Sequence, residues 1–264
     1  MRAVTEQQVD LEQDALEVVG RIQVASNATF LGRIGGATVV YKPVAGEKPL
    51  WDFPDGTLAG REIAAYLVSE SLGWGVAPRT WLRDGPLGPG MVQLWQEQDR
   101  DQDPVDVVPS TAARRDGWRV VLEGSDADDE PVCLVHEDSP SLRRMAVFDA
   151  LVNNADRKGG HVLPMQDGRR LGVDHGVTFH VEPRLRTVLW GWVGQALLAD
   201  ELDGVRRVRA ELDREGEDGL GGRLAALLDD AEVAALAERC DRLLATAVFP
   251  SPESDMPAVP WPLF

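Results

Sequence analysis

The order of two hydrophobic periodicities along the chain constrains its fold more than any other feature. From about Leu16 to Val44 apolar and polar residues alternate, with breaks at 25–28 and at Gly35-Gly36. This pattern predicts three antiparallel strands joined by tight turns, the second a glycine hairpin turn. Helical periodicity follows over Thr57 to Leu72, and Gly73 is its stop signal. The front of the chain is therefore predicted to be β-rich.

The remainder of the chain changes from strand patterns to helical ones. Val76 to Leu82 and Met91 to Trp95 predict two more strands, and Trp118 to Leu122 with Val132 to Val135 predicts a hairpin. We interpret the acidic stretch from Gln98 to Asp116 as a surface loop. Helices are predicted over 141–153, 200–213, 220–229 and 231–247, before a Pro-rich tail that begins at Pro250. Two lobes that share a cleft fit this order.

Composition limits the compartment and the partners. At 264 residues and 44% hydrophobic, the chain can bury a substantial core. Its apolar runs are shorter than the roughly 20 residues that span a bilayer, and its first residues are acidic, so we expect a cytoplasmic protein without an export signal. A formal net charge of −17 disfavours nucleic acid and stable membrane association. Cys133 and Cys240 are too few for a disulfide framework or a zinc site.

Two aspartates in the middle of the chain carry the clearest chemical signal. Asp156 lies in NADRKGGH, residues 154–161, and Asp174 lies in GVDHG, residues 172–176. Phosphoryl transfer from a magnesium nucleotide needs one carboxylate to orient the acceptor, another to hold the metal, and a fixed cation on the donor. Lys42 ends an apolar strand and needs an anionic partner there, which Glu62 in the following helix can supply. Such a Lys-Glu pair is common in proteins, so its interpretation depends on the two aspartates.

These residues resemble the phosphatidylinositol 3- and 4-kinase superfamily, in particular the bacterial relatives of the type II phosphatidylinositol 4-kinases. The similarity covers roughly Val18 to Phe179. It rests on YKP at 41–43, REIAAYL at 61–67, VAP at 76–78, NADR at 154–157 and VDHG at 173–176, in this order. The resemblance implies an α+β, bilobal protein-kinase-like fold. Its antiparallel β-rich N-lobe would span 1–97 and its mainly helical C-lobe 98–264.

The resemblance also implies catalytic roles, with ATP and Mg²⁺, or alternatively Mn²⁺, as cofactors. Lys42 would contact the nucleotide phosphates, and Glu62 would hold Lys42. Asp156 would orient or deprotonate the acceptor hydroxyl, and Asp174 would ligate the metal. His161 stands where family members usually have an asparagine that helps to hold a metal ion. A neutral imidazole can also bind Mg²⁺ but is a softer ligand than Mg²⁺ prefers, so His161 is either a metal ligand or a hydrogen-bonding loop residue.

The nucleotide itself would contact two further segments. Ser26 and Asn27 fall in the turn that should cover the phosphates, where backbone N–H groups can bind anions. The connection between the lobes should meet adenine, and its candidates are Gln93, Leu94, Trp95 and Gln96. The expected function is ATP- and Mg²⁺-dependent phosphotransfer to a protein hydroxyl (including one of its own), a small polyol or an inositol lipid. The alternatives are an ATP-binding pseudokinase that acts as a regulatory module and, more remotely, a scaffold without nucleotide affinity.

Overall fold

A computed structural model describes residues 10–23, 27–214, 216–253 and 255–264. Ser26, predicted to contact the phosphates, lies outside the described residues. Among those that are described, no helix is both long and apolar enough to cross a membrane.

The first part of the chain forms a five-stranded antiparallel sheet in the order β1-β2-β3-β5-β4. Its strands are β1 Leu16–Arg21, β2 Phe30–Ile34, β3 Ala37–Pro43, β4 Thr80–Gly85 and β5 Gly88–Leu94. The predicted turn at Gly35-Gly36 is confirmed, since Ile34 pairs with Ala37 across it. The strand predicted from Val76 begins only at Thr80, because Pro78 lacks the N–H that a ladder needs. Strand β3 is therefore the central strand of this sheet.

Buried side chains lie on both faces of the sheet at β5, and the alternation along β3 decides the face to which each of its side chains points. Val39 and Tyr41 point into a small cluster with Leu16, Ile34 and Val92. Lys42, the residue after Tyr41, therefore projects from the opposite face. Helix α1, Leu58–Leu72, packs in the main core with Met91, the partner of Lys42 across the ladder. Helix α1 ends at Gly73, which adopts the left-handed conformation, as predicted.

A second sheet follows the first and corrects one prediction. It has the order β6-β8-β7, with β6 Val105–Pro109, β7 Trp118–Ser125 and β8 Pro131–Glu137. The predicted hairpin is β7 and β8. The prediction of a loop from Gln98 to Asp116 was wrong, because β6 lies inside it and pairs with β8. Val105 and Val108 are buried among the acidic residues, so long-range pairing outweighs the local composition.

The rest of the chain is mainly helical, and the predicted fold class is confirmed. Its elements are α2 Pro140–Val152, β9 Val162–Pro164, β10 Arg170–Gly172, α3 Ala199–Leu212, α4 Leu220–Ala225 and α5 Asp230–Thr246. Ser139 caps α2 by accepting a hydrogen bond from the Leu142 N–H at 3.2 Å. The helix predicted over 220–229 ends at Ala225, since Asp229 is already the N-cap of α5. The boundary between residues 97 and 98 stays a prediction.

A buried arginine ties the two parts together. Arg61, on α1, is 2% exposed, and its Nη2 lies 2.5 Å from Oε1 of Glu232 on α5. Its Nη1 donates to the Thr178 carbonyl at 2.6 Å. A charge with so little access to water is stable only when it is paired and hydrogen-bonded. Helix α1 is thereby fixed against the segment that follows Asp174.

Candidate active site

Lys42 is the centre of the candidate site. Its Nζ lies 2.6 Å from Oε1 of Glu62 and 2.7 Å from Oδ1 of Asp174. Burial lowers the pKa of Lys42, but the carboxylates of Asp174 and Glu62 outweigh burial and raise that pKa above its usual value. The sequence prediction that Glu62 partners Lys42 agrees with this geometry. Lys42 is therefore a permanently charged ammonium.

Glu62 connects three elements through one carboxylate. Its side chain is 2% exposed on α1. One oxygen faces Lys42 on β3, and the other accepts a hydrogen bond from the backbone N–H of His175 at 2.9 Å. Both oxygens of this buried anion are thus satisfied, which removes the penalty of burying it. The arrangement holds β3, α1 and the segment around Asp174 in one geometry.

Asp174 follows β10 in a turn that exposes its carboxylate. Its φ is +62°, in the left-handed region that aspartate tolerates better than most residues. Its side chain is 51% exposed, although one oxygen contacts Lys42. The Lys42 ammonium, more than any other group, holds the pKa of Asp174 well below its usual range. The carboxylate is ionised and reaches the cleft.

His161 lies beside Asp174, and its ring is oriented by a backbone carbonyl. Its Nδ1 is 2.9 Å from the Asp156 carbonyl, to which it can only donate, and its Nε2 is 3.4 Å from Oδ2 of Asp174. Burial is the main cause that lowers the pKa of His161, so the ring is neutral. Metal-binding histidines commonly donate their other N–H to a carbonyl in this way. The lone pair of Nε2 thus faces the carboxylate.

This donor set fits Mg²⁺ held together with a nucleotide. No group of three or more His, Cys, Asp or Glu side chains that could hold a metal occurs in the described part of the chain. Magnesium is usually bound through one or two protein ligands, with substrate phosphates and water completing its shell. Asp174 and His161 could supply these protein ligands.

Asp156 lies in a loop fixed by a buried ion pair. Arg157, which is fully buried, makes two bonds to Asp149, at 2.9 and 2.8 Å. Asn154 links the two ends of this unit, since its Nδ2 donates to Asp149 and its Oδ1 accepts from the Asp156 N–H. The Asp156 carboxylate is 30% exposed and lies 3.0 Å from the side-chain amine of Lys158. Arg157 is therefore a scaffold residue, and Asp156 remains accessible.

The predicted nucleotide contacts are only partly gathered. A small cleft is lined by Asn27, Lys42, Glu62 and Asp174. Among the described residues that line it, the candidates Gln93, Leu94, Trp95 and Gln96 do not occur. Each of the four has another partner. The Gln93 amide donates to the Thr80 hydroxyl, and Leu94 packs on the face of the sheet opposite Lys42. The Trp95 indole donates to Glu97, and the Gln96 amide donates to the Leu94 carbonyl. Their contact with adenine stays a prediction.

Comparison with known proteins places the chain in a family. No model of a known protein family matches it. Protein Rv2133c of Mycobacterium tuberculosis (strain ATCC 25618 / H37Rv) is 49% identical over 267 residues, which cover 96% of this chain and 94% of that protein. The chain belongs to the family of Rv2133c.

A solved structure is also similar, but only distantly. The crystal structure of the Helicobacter pylori proinflammatory kinase CtkA matches with a TM-score of 0.45 and 12% sequence identity, over 92% of this chain and 95% of that chain. A similarity this low carries no argument about activity. The function of this member of the Rv2133c family must be inferred from the geometry of its own residues.

Two contributors to the site were missed by the sequence interpretation. Glu47 accepts hydrogen bonds from the backbone N–H groups of Leu58 and Ala59, at 3.0 and 2.8 Å, and so neutralises the start of α1. It precedes the helix by more than a usual cap distance, so no local signal marks it. Asp149 is an acid within the apolar run of α2, eight residues before Arg157. An acidic residue inside an apolar helix is a signal that the sequence itself contains.

Proposed function

We propose that the protein is an ATP- and Mg²⁺-dependent phosphotransferase of the phosphatidylinositol 3-/4-kinase-like class. The observation that carries this proposal is the contact of one ammonium, Lys42, with both Glu62 and Asp174. A lysine held by a helix glutamate beside a metal-binding aspartate is the arrangement that kinases use to bind a nucleoside triphosphate. Asp156 and His161 lie on the adjoining loop.

Each residue has a role that follows from its contacts. Lys42 binds donor phosphate oxygens, and Glu62 keeps its amine in place. Asp174 and His161 would hold Mg²⁺, which would supply positive charge to the phosphates. Asp156 accepts a hydrogen bond from the acceptor hydroxyl and orients its oxygen toward the donor. Lys158, 3.0 Å from Asp156, supplies positive charge beside this carboxylate.

The acceptor is proposed by class only. A protein hydroxyl, including one of the protein's own, a small polyol and an inositol lipid all present the alcohol that Asp156 can orient. The net charge of −17 opposes approach to an anionic membrane, which favours the protein and polyol acceptors over the lipid. Acceptors can be ranked by incubating the protein with each class in turn.

Transfer of labelled phosphate tests this proposal. Purified protein is incubated with γ-labelled ATP in Mg²⁺ or Mn²⁺, with and without candidate acceptors, and labelled products are separated from released phosphate. We expect transfer or hydrolysis by the wild type and a loss of about 10² to 10⁴-fold in Asp156→Asn. Asp167→Asn, an exposed turn residue that pairs with Arg169, is the matched control. Wild-type protein that neither transfers nor hydrolyses would refute the proposal.

A second candidate function is a nucleotide-binding pseudokinase. His161 favours it. An imidazole here, where phosphatidylinositol 3-/4-kinases usually have an asparagine, weakens the preference of the site for Mg²⁺. Such a protein would bind ATP with normal affinity, and any residual turnover would be unchanged in Asp156→Asn. His161→Asn separates the two functions, since an active kinase with a weak metal site should gain turnover, and a pseudokinase that lacks other groups should not.

A further inference from the structure

The tail of the chain lies against the loop that carries Asp156 and His161. We call residues 257–264 the strap. Its carbonyl groups accept hydrogen bonds from the body of the protein. Arg186 donates from its side chain to Pro257 and Val259, and the Ala258 carbonyl accepts from the Thr187 backbone N–H and the Trp190 indole. The Gly159 backbone N–H donates to the Leu263 carbonyl. Val259 and Leu263 also pack on the main core. The strap is thus an integral layer of this region.

The strap is connected to the loop through one intermediate segment. Arg157 forms an isolated parallel bridge with Thr187. The backbone N–H of Thr187 in turn donates to the Ala258 carbonyl at 3.1 Å. The three segments are therefore side by side, with the loop residue first, Thr187 in the middle and the strap outermost. A movement of the strap acts on the loop through the middle segment.

The end of the strap also touches the loop directly. The Gly159 N–H donates to the Leu263 carbonyl at 2.8 Å. The Phe264 ring lies so close to Gly159 that a Cβ at this position would overlap it. Gly159 is buried beneath this ring, while Phe264 itself is 56% exposed. Only glycine permits so close an approach of ring and backbone.

The covered turn contains two glycines, which give it little stiffness of its own, although the Arg157 guanidinium holds its last residue by donating to the His161 carbonyl at 3.1 Å. Gly159-Gly160-His161 is a single 3-10 turn, and glycines lose more conformational freedom on ordering than other residues. One of its internal bonds, from the His161 N–H to the Lys158 carbonyl, is 3.2 Å long. The strap therefore supplies contacts that strengthen the turn. Asp156 lies three residues before this turn, and His161 is its last residue.

We propose that Leu263 and Phe264 are positioning residues, which hold the Asp156–His161 loop in the geometry needed for phosphate transfer. The inference rests on the proposed function. Removing the Phe264 ring frees Gly159 and lets Asp156 and His161 drift from the acceptor and the metal. The strap contacts named above reach neither Lys42 nor Asp174, so the nucleotide phosphates still meet the ammonium and the metal still meets its aspartate, and ATP binding is retained. The expected signature is a loss in kcat with little change in KM for ATP.

The test compares three variants of the full chain. Phe264→Ala removes the ring, Phe264→Leu retains apolar bulk, and Trp261→Ala truncates a neighbouring aromatic that is 81% exposed. We expect Phe264→Ala to lower kcat about 10 to 100-fold with KM for ATP changed less than about twofold, and Phe264→Leu to recover most of the loss. Trp261→Ala should behave as wild type. Unchanged kcat in Phe264→Ala, or a higher kcat as an inhibitory tail would give, overturns the proposal.

Hydrogen exchange separates failure of this inference from failure of the proposed function. The Gly159 amide should exchange faster in Phe264→Ala than in Trp261→Ala, while amides of α2 stay equally protected. If the wild type transfers no phosphate, the proposed function fails, and this exchange difference still shows whether the strap orders the loop. Equal exchange of the Gly159 amide in the two variants would overturn the positioning role whatever the activity.

Discussion

The Nζ atom of Lys42 and the Oδ1 atom of Asp174 lie 2.7 Å apart, although 132 residues separate them along the chain. One end of this pair is fixed by the sheet, and the other by a left-handed turn after β10. Glu62 touches both segments. The ammonium is therefore already neutralised by two carboxylates before any nucleotide arrives.

Nucleotide binding should depend strongly on a divalent cation. The phosphates of ATP must approach Glu47, Glu62 and Asp174, which line the cleft together with the ammonium of Lys42. A metal held by Asp174 would convert this repulsion to attraction. We expect the affinity for ATP to fall about tenfold or more when EDTA replaces Mg²⁺, which is about 1.4 kcal/mol by calorimetry. Equal affinity in both conditions would contradict this account of the charges.

Lys42→Met should weaken both binding and turnover. It removes the cation proposed to contact the phosphates and leaves Glu62, which is 2% exposed, without its ammonium partner. We expect a loss of about 10² to 10³-fold in kcat/KM, measured by steady-state kinetics, together with a lower thermal midpoint. Lys48→Met, at an exposed lysine nearby, is the control and should retain wild-type kinetics. A fully active Lys42→Met would exclude the proposed role.

The Asp149–Arg157 pair should dominate local stability. Both side chains are fully buried, so Asp149→Asn leaves the guanidinium without a counter-charge. We expect a loss of about 3 to 5 kcal/mol in the free energy of unfolding, from urea titration. The exposed variant Asp167→Asn should change it by less than about 0.5 kcal/mol. A similar small change in Asp149→Asn would show that the pair is not needed to hold the loop.

Stability should fall in mildly acidic solution because of His136. Burial lowers the pKa of His136 to about 4, and its Nε2 accepts a hydrogen bond from the Gly191 N–H. The unfolded chain takes up this proton near pH 6.5 and the folded one only near 4, so stability is complete above about 6.5 and is lost as the pH falls toward 4. Protonation of His136 lowers the free energy of unfolding by about 3 kcal/mol over this range. His136→Gln should flatten this part of the urea-denaturation profile, and an unaltered slope would contradict the assignment.

Elements that depend on local sequence were predicted correctly, whereas a strand that depends on long-range pairing was missed. The strands around Gly35-Gly36 and the helix before Gly73 were correctly predicted, because alternation and turn chemistry are local. Strand β6 was missed, since its pairing with β8 depends on residues far along the chain. Its acidic composition could not reveal that partner.

The same distinction applies to the candidate site. Lys42, Glu62 and Asp174 were selected from their residue types and order, and the structure brings them into contact. The contact of Phe264 with Gly159 had no local pattern, because it joins two segments only through tertiary packing. Gln93 was placed near the cleft by its position in the chain, but its amide is engaged by Thr80. Side-chain partners of this kind follow from packing and cannot be read from spacing.

A crystal structure of the protein with Mg²⁺ and a non-hydrolysable ATP analogue tests the central claim most directly. The account predicts triphosphate oxygens within hydrogen-bonding distance of Lys42 and a metal ion ligated by Asp174, with Asp156 facing the terminal phosphate. A nucleotide bound elsewhere, or one bound here with Lys42 and Asp174 still paired only to each other and no metal between protein and phosphates, would contradict it.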